Sequence, residues 1–328
     1  MLERTLGKSG IEVSALGLGC WPIGGKFLDE DGDPVGWGSF EEKDAIRALR
    51  RALELGVTFF DTADVYGTGT SEEIIGKAFA DRRDQVVIAT KFGKTFDPVA
   101  QRMLARDTSR EYIRRALEDS LRRLQIDCVD LYQLHLWDIS PEEAISVRET
   151  LEELAREGKI RGYGWSTGEP ERARVFAEGE HCIALQHPLN VIDSSCANML
   201  DLSERYDLAS IVMQPLAMGL LSGKYSRETE FASDDVRRFA WKFSAWFEGD
   251  RPSASFLDRL AAVREILSSD GRTLAQGALA WIWGRSERTI PIPGFKSIEQ
   301  VEQNAAAMDF GPLAPDQMQE IERLLERA

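Results

Sequence analysis

Three apolar stretches of this chain each lead to side chains that can handle a proton. Residues 57–63 carry Asp61 and are followed by Tyr66-Gly67, residues 86–90 run into Lys91, and residues 129–134 run into His135. A carbonyl that accepts a hydride builds negative charge on its oxygen, so the reaction needs a proton donor and fixed positive groups beside that oxygen. A tyrosine, with an ordinary pKa of about 10, is a weak acid at neutral pH. A nearby ammonium lowers that value by stabilising the phenolate. In this scheme Tyr66 is the acid, Lys91 tunes it, Asp61 keeps Lys91 charged and oriented, and His135 hydrogen-bonds and orients the carbonyl. Taken singly, Asp61 reads as a structural acid capping the next turn, Tyr66 as a packed loop aromatic and His135 as a satisfied core histidine. Lys91 is harder to dismiss, because an unpaired ammonium at the end of an apolar strand is costly.

The four groups meet only if their strands lie side by side and parallel. The pattern along the chain supports that. A hairpin over 2–13 precedes a first core strand at 13–20 and an irregular loop at 27–37. A helix over 40–55 has Ala45, Ile46, Leu49, Ala52 and Leu53 at helical spacing and closes on Gly56. Strands then follow at 57–63, 85–92, 128–136, 160–166, 182–187, 210–216 and 289–293. Helices are expected at 71–80 (capped by Thr70 or Ser71), 109–124, 140–157, 170–178, 196–206, 253–267, 274–283, 297–307 and 315–327. Ser140-Pro141-Glu142-Glu143 has the cap, first-turn proline and acids that open a helix. Strand-then-helix alternation implies a parallel sheet with helices outside it. Eight such units predict one α/β domain over 1–328, a (β/α)8 TIM barrel with an N-terminal β-hairpin cap and a long loop, 217–252, after strand 7. Chemistry in that fold sits at the C-terminal strand ends. A doubly wound sheet is the weaker alternative, because the first strand carries only Gly17-x-Gly19 and no G-x-G-x-x-G opening a helix.

Composition narrows the function classes. With 43% hydrophobic residues in 328, the chain can bury a large core. A net charge of −15 argues against a general nucleic-acid or anionic-membrane binder. Cys20, Cys128, Cys182 and Cys196 lie far apart with no CxxC pair, which fits free thiols in a reducing cytosol and no metal site. The first residues lack an apolar signal core, and no apolar run approaches the roughly 20 residues of a membrane span. The expectation is a cytoplasmic enzyme acting on a small molecule, with its oligomeric state open and compatible with a monomer.

Ordered motifs then cover nearly the whole length: Leu16-Gly17-Leu18-Gly19, Phe60-Asp61-Thr62-Ala63-x-x-Tyr66-Gly67, Ala89-Thr90-Lys91, Ser120-Leu121-x-x-Leu124, Asp130-Leu131-Tyr132-Gln133-Leu134-His135, Gly158-Lys159-Ile160-Arg161, Pro215-Leu216-Ala217-x-Gly219-x-Leu221-x-Gly223-Lys224 and Ile290-Pro291-Ile292-Pro293-Gly294. In these the chain resembles the aldo-keto reductases, close to bacterial members and to the potassium-channel β-subunit branch. The resemblance places the family's tetrad on Asp61, Tyr66, Lys91 and His135, with the tyrosine as acid. Channel subunits usually have asparagine at the His135 position, so the histidine favours a working reductase over a nucleotide-sensing binding module, the alternative reading.

The resemblance also implies NADPH (NADP+) extended across the barrel mouth. Carried over by position, Ser166 and Gln186 hold the carboxamide, and Pro215, Leu216, Ala217, Gly219 and Lys224 line the pyrophosphate. Gly294, Lys296, Gln300 and Asn304 hold the adenosine and its 2′-phosphate, while Cys20 and Trp21 lie near the nicotinamide ribose and Asp61 lies beneath. Three positions of that set, Thr167, Gln214 and Gln303, depart from the residues usual in the family. The long loop adds Arg237 or Arg238 as a phosphate ligand. Aromatic residues at the mouth, Trp21, Phe92, Trp137, Trp165 and Trp246, are candidates for the wall that holds a carbonyl substrate. Ordinary packing accounts for Trp165 equally well and for Phe92 better.

Overall fold

The computed structural model describes residues 2–327. Eight strands form one parallel ring: β1 (Gly17–Gly19), β2 (Phe59–Asp61), β3 (Val87–Phe92), β4 (Leu131–Leu134), β5 (Tyr163–Ser166), β6 (Cys182–Pro188), β7 (Ala209–Met213) and β8 (Thr289–Pro291). Each pairs in parallel with its sequence neighbour. The ring closes between β1 and β8 through a single parallel bridge, Gly19 to Gly294, with the Gly19 amide donating to the Pro293 carbonyl at 3.1 Å. Gly19 has to be glycine there, since a Cβ would lie 2.8 Å from the Ile292 carbonyl oxygen. This is the predicted barrel.

Alternation along the strands divides the core in two. Phe59, Val87, Ala89, Leu131, Ile211 and Ile290 point inward and fill the barrel with Leu6, Ile11 and Val13 from the hairpin Glu3–Thr5/Glu12–Ser14, which plugs the N-terminal end. Phe60, Ile88, Phe92, Tyr132 and Trp165 point outward and pack under the helices. The helices are α1 (Glu42–Glu54), α2 (Thr70–Phe79), α3 (Arg110–Leu124), α4 (Pro141–Arg156), α5 (Pro170–Ala177), α6 (Asn198–Arg205), α7 (Ala254–Leu267), α8 (Leu274–Trp283), α9 (Ile298–Ala305) and α10 (Pro315–Leu324). Ser109 and Ser140 cap α3 and α4 by accepting from the amides of Tyr112 and Glu143. Among the described residues no helix is long and apolar enough to cross a membrane.

Three expectations need correction. Residues 13–14 belong to the hairpin, so the first barrel strand is only Gly17–Gly19. The second helix has no side-chain cap, because Gly69 occupies that position and the buried Ser71 hydroxyl donates to the Cys20 carbonyl at 2.9 Å. A second hairpin, Lys94–Asp97 with Arg102–Arg106, follows β3 where none was foreseen. Most of 217–252 is irregular as expected, with short 3-10 turns and a two-residue ladder of Phe247–Glu248 with Arg251–Pro252.

Candidate active site

Strand parity brings the acid, the cation and their partners together. Asp61 on β2 and Lys91 on β3 both face inward at the C-terminal ends, beneath a cleft of about 400 Å³. The Lys91 ammonium, with no solvent exposure, donates to Asp61 Oδ1 at 2.5 Å, to the Thr62 carbonyl at 2.8 Å and to the Tyr66 hydroxyl at 3.4 Å. Asp61 Oδ2 accepts from Gln133 Nε2 at 3.1 Å and Gln186 Nε2 at 2.9 Å. Ser166 in turn donates to Gln186 Oε1 at 3.1 Å. Side chains from the next four strands, β3 to β6, therefore fix one carboxylate on β2, Ser166 acting through Gln186. Three donors to a buried carboxylate are what its charge requires in a low dielectric.

Tyr66 reaches this pair from a turn, Tyr66–Gly69, that only small residues can make. Gly67, Thr68 and Gly69 all have positive φ, and a Cβ on Gly67 would lie 1.9 Å from the Gly24 carbonyl oxygen. The loop after β1 thus presses directly on the tyrosine turn. Trp21, whose indole donates to the Val35 carbonyl at 2.9 Å, stacks on the Tyr66 ring at 6.0 Å, and His135 meets it edge-on at 5.7 Å.

The electrostatics differ from the simple expectation for Tyr66. Burial pushes its phenol above the ordinary tyrosine value, and the opposing pull of Lys91 does not cancel that. Tyr66 is therefore held protonated, a loaded donor. Burial alone would lower Lys91, yet the Asp61 charge, with the hydrogen bonds to Asp61 and Tyr66, outweighs it and keeps the amine above its usual value. Burial, then the cations Lys91 and Lys94, hold His135 well below the ordinary range, so its ring is a neutral hydrogen-bonding group.

Behind the tyrosine turn lies a second acidic cluster. Glu72 accepts from Thr90 Oγ1 at 2.5 Å and pairs with Arg123 Nε at 2.7 Å. Asp64, 2% exposed, has one carboxylate oxygen without a partner among the described residues. Burial, then the charge of Glu72, pushes its carboxyl well above the ordinary range. The folded chain thus keeps a proton that the unfolded chain releases near pH 4. Stability should therefore fall as pH rises above that point, until the folded-state value is passed. The expected result is that Asp64→Asn raises the melting temperature clearly at about pH 8 and little at about pH 5, read by thermal denaturation at both values.

Of the expected site residues, Asp61, Tyr66, His135, Trp21, Gln186, Gln214, Pro215, Leu216, Gly219, Lys224, Gly294, Lys296, Gln300, Gln303 and Asn304 line one continuous cleft, with Lys91 under its floor. Others do not line it. Cys20 and Ala217 are wholly buried, Thr167 donates to the Trp137 carbonyl, and Ser166 lies behind Gln186 and Met213, which do line it. The aromatic wall is largely overturned. Phe92 stacks on Tyr132 at 4.5 Å and Trp165 lies against Phe176 at 4.8 Å, both fully buried on the outward face of the barrel. Trp246 is buried against Phe256 with its indole on Asp193, and Trp137 is exposed outside the cleft. Only Trp21 of that set faces it. The remaining wall at this end is Phe27, Val35, Val65, Lys94 and Met103.

At the far end, Tyr225 and Arg237 join the cleft. The Arg237 guanidinium pairs with Asp235 at 2.6 Å, bonds the Tyr225 hydroxyl at 2.5 Å and lies 4.5 Å from the Phe231 ring centroid. Arg238 instead faces Asp250 at 3.7 Å, away from it. The loop after β7 is clasped to the loop after β1. Trp37 bridges to Asp235, Lys26 pairs with Asp234 at 2.8 Å, and Lys242 pairs with Asp33. Lys296 donates to the Trp37 carbonyl.

The whole chain has relatives. It matches the Aldo/keto reductase family over residues 15–326. It is 34% identical over 309 residues to the aldo-keto reductase YhdN of Bacillus subtilis, covering 92% of this chain and 87% of that one. Among solved structures it resembles the holo form of aldo-keto reductase AKR11C1 from Bacillus halodurans, at 31% identity and TM-score 0.80, spanning all of this chain and 97% of that one. It also resembles an aldo/keto reductase from Klebsiella pneumoniae in complex with NADP and acetate, at 27% identity and TM-score 0.71, with 100% and 97% covered. The barrel, the ordered motifs and these matches together place the chain in the aldo/keto reductase family.

Proposed function

We propose that this protein reduces aldehydes or ketones with NADPH, or runs the reverse oxidation, with Tyr66 as the proton donor. The observation that carries the reading is the fully buried Lys91 ammonium, which joins Asp61 to the Tyr66 hydroxyl on the floor of the cleft. Such a cation is expensive to bury and serves the fold poorly, whereas it stabilises the charge left on Tyr66 when the proton departs. His135, neutral, orients the carbonyl oxygen toward the phenol. The cleft residues fit a dinucleotide. Asn304 is 3% exposed and its amide nitrogen has no partner among the described residues, as expected of a donor awaiting a ligand acceptor. Lys224 and Lys296 supply positive charge at the same end. When bound, the cofactor supplies the hydride from its nicotinamide. NADP bound to the Klebsiella relative supports that choice.

The test is loss of NADPH absorbance with a panel of aldehydes and ketones. Tight cofactor binding without turnover on any of them would defeat the reading and favour a nucleotide sensor. For the 2′-phosphate, Lys296 is the positioned cation, a point charge where an arginine would also fork. Lys296→Ala is expected to weaken NADPH by about tenfold, or about 1.4 kcal/mol, while leaving NADH nearly unaffected. Titration of reduced-nicotinamide fluorescence with both cofactors measures the difference.

A further inference from the structure

One charged group in the cleft has no part in the chemistry so far. Lys94 lies three residues beyond Lys91, where β3 turns through Gly93 into the hairpin of residues 94–106. The main chain there is pinned: the Gly93 amide donates to the Tyr112 hydroxyl at 3.2 Å, and that hydroxyl donates to the Lys94 carbonyl at 3.0 Å. The Lys94 side chain lines the cleft beside His135, and its charge is close enough to act on that ring.

Four other cations near this rim are already engaged. Lys26 has Asp234, Lys242 has Asp33, Arg237 has Asp235, and Arg106, which faces Lys94 across the hairpin, has Glu143. Among the described residues no carboxylate lies within 4.0 Å of the Lys94 ammonium. Lys224 also lacks a carboxylate, but it follows β7, beside Lys296 after β8. Lys94 follows β3, across the ring from both, so the phosphates of a dinucleotide held at the β7–β8 end do not reach it. Lys94 and the tyrosine share the cleft with an apolar cluster, Phe27 and Met103, against which Val35, Trp21 and the Tyr66 ring pack.

Resting on the reductase reading above, we infer that Lys94 selects substrates in which an apolar segment separates the reacting carbonyl from a carboxylate. The carbonyl sits at Tyr66 and His135, the hydrocarbon lies on the apolar wall, and the carboxylate meets the ammonium. A single compact ammonium meets a carboxylate as a point charge, without the fixed fork that a guanidinium would impose. On a chain of net charge −15 a cation lining the cleft beside β3 makes that end, too, locally favourable to an anion.

The experiment compares kcat/KM for para-formylbenzoate and meta-formylbenzoate with that for their methyl esters, using NADPH and the wild-type, Lys94→Met and Lys94→Arg proteins. The wild type should prefer at least one acid over its ester. Lys94→Met should lower that acid-to-ester ratio on the order of tenfold, the size of a charge-assisted hydrogen bond, and Lys94→Arg should restore part of it. Added salt should erode the ratio in the wild type and in Lys94→Arg but not in Lys94→Met. An unchanged ratio, or an equal fall for acid and ester, overturns the inference and leaves Lys94 a solvated charge. Absence of turnover on every substrate would instead defeat the reductase reading. The inference is then decided by tryptophan-fluorescence titration with para-(hydroxymethyl)benzoate and its methyl ester: equal affinities in wild type and Lys94→Met overturn it.

Discussion

Replacing Tyr66 with phenylalanine is expected to lower kcat by roughly three orders of magnitude, within the range of general acid catalysis, while NADPH affinity stays near that of the wild type. The ring is kept, so its stacking on Trp21 and its edge contact with His135 persist. What goes is the one hydroxyl, among the described residues, in reach of both Lys91 and the cleft. Single-turnover reduction after NADPH loading separates the two quantities. Retained turnover would remove Tyr66 from the chemistry. The wild-type profile carries a related expectation. Because burial holds the phenol above its ordinary value, reduction should stay flat through neutral pH and decline only in or beyond the alkaline range of tyrosine, about 10. A fall near neutrality would mean that another group supplies the proton.

The second large effect concerns both stability and rate. Lys91→Met is expected to destabilise the fold by about 3–5 kcal/mol, because it leaves a buried carboxylate without its countercharge. Gln133 and Gln186 still donate to Asp61, but two amides do not replace an ammonium. Adding Asp61→Asn should recover most of that loss, because no charge is then left unpaired. Reduction should stay low in both variants, since neither restores the cation beside the Tyr66 hydroxyl. The urea midpoint and the NADPH-consumption rate, measured on both variants, decide it. If the double variant recovered the rate along with the stability, the lysine would be structural only.

The barrel and the meeting of Asp61, Tyr66, Lys91 and His135 at one cleft could be read from the chain because both rest on local pattern. Strand-then-helix rhythm sets the ring, and apolar runs ending in Asp61, Lys91 and His135 set the floor of the cleft. The errors came from leaving strand parity unused. Phe92 is one residue beyond Lys91, so it must point to the opposite face, and Trp165 is out of step with Ser166 for the same reason. The same alternation identifies Gln133, two residues before His135, as an inward partner for Asp61. That side chain belongs to the Asp130-Leu131-Tyr132-Gln133-Leu134-His135 run, where only its inward parity marks it as a partner of the acid. Trp246, Arg237 and the hairpin that brings Lys94 and Met103 to the cleft depend on how loops fold back. No periodicity encodes this, because loop conformation follows from distant contacts such as Trp37 with Asp235. The rise in the Tyr66 pKa was likewise hidden, since burial is a property of the assembled site.

The barrel's closure has a mechanical consequence. Pro291 and Pro293 bring no amide hydrogen to the last strand, and β1 meets β8 through one bridge between two glycines. That junction is the weakest staves-to-staves joint of the cask, and amide exchange should be fastest beside it. In the proposed complex a dinucleotide lying along Gly294 and Lys296 would straddle this joint like a hoop. Occupancy would then tighten the entire wall, and the emptied enzyme should begin to come apart there first.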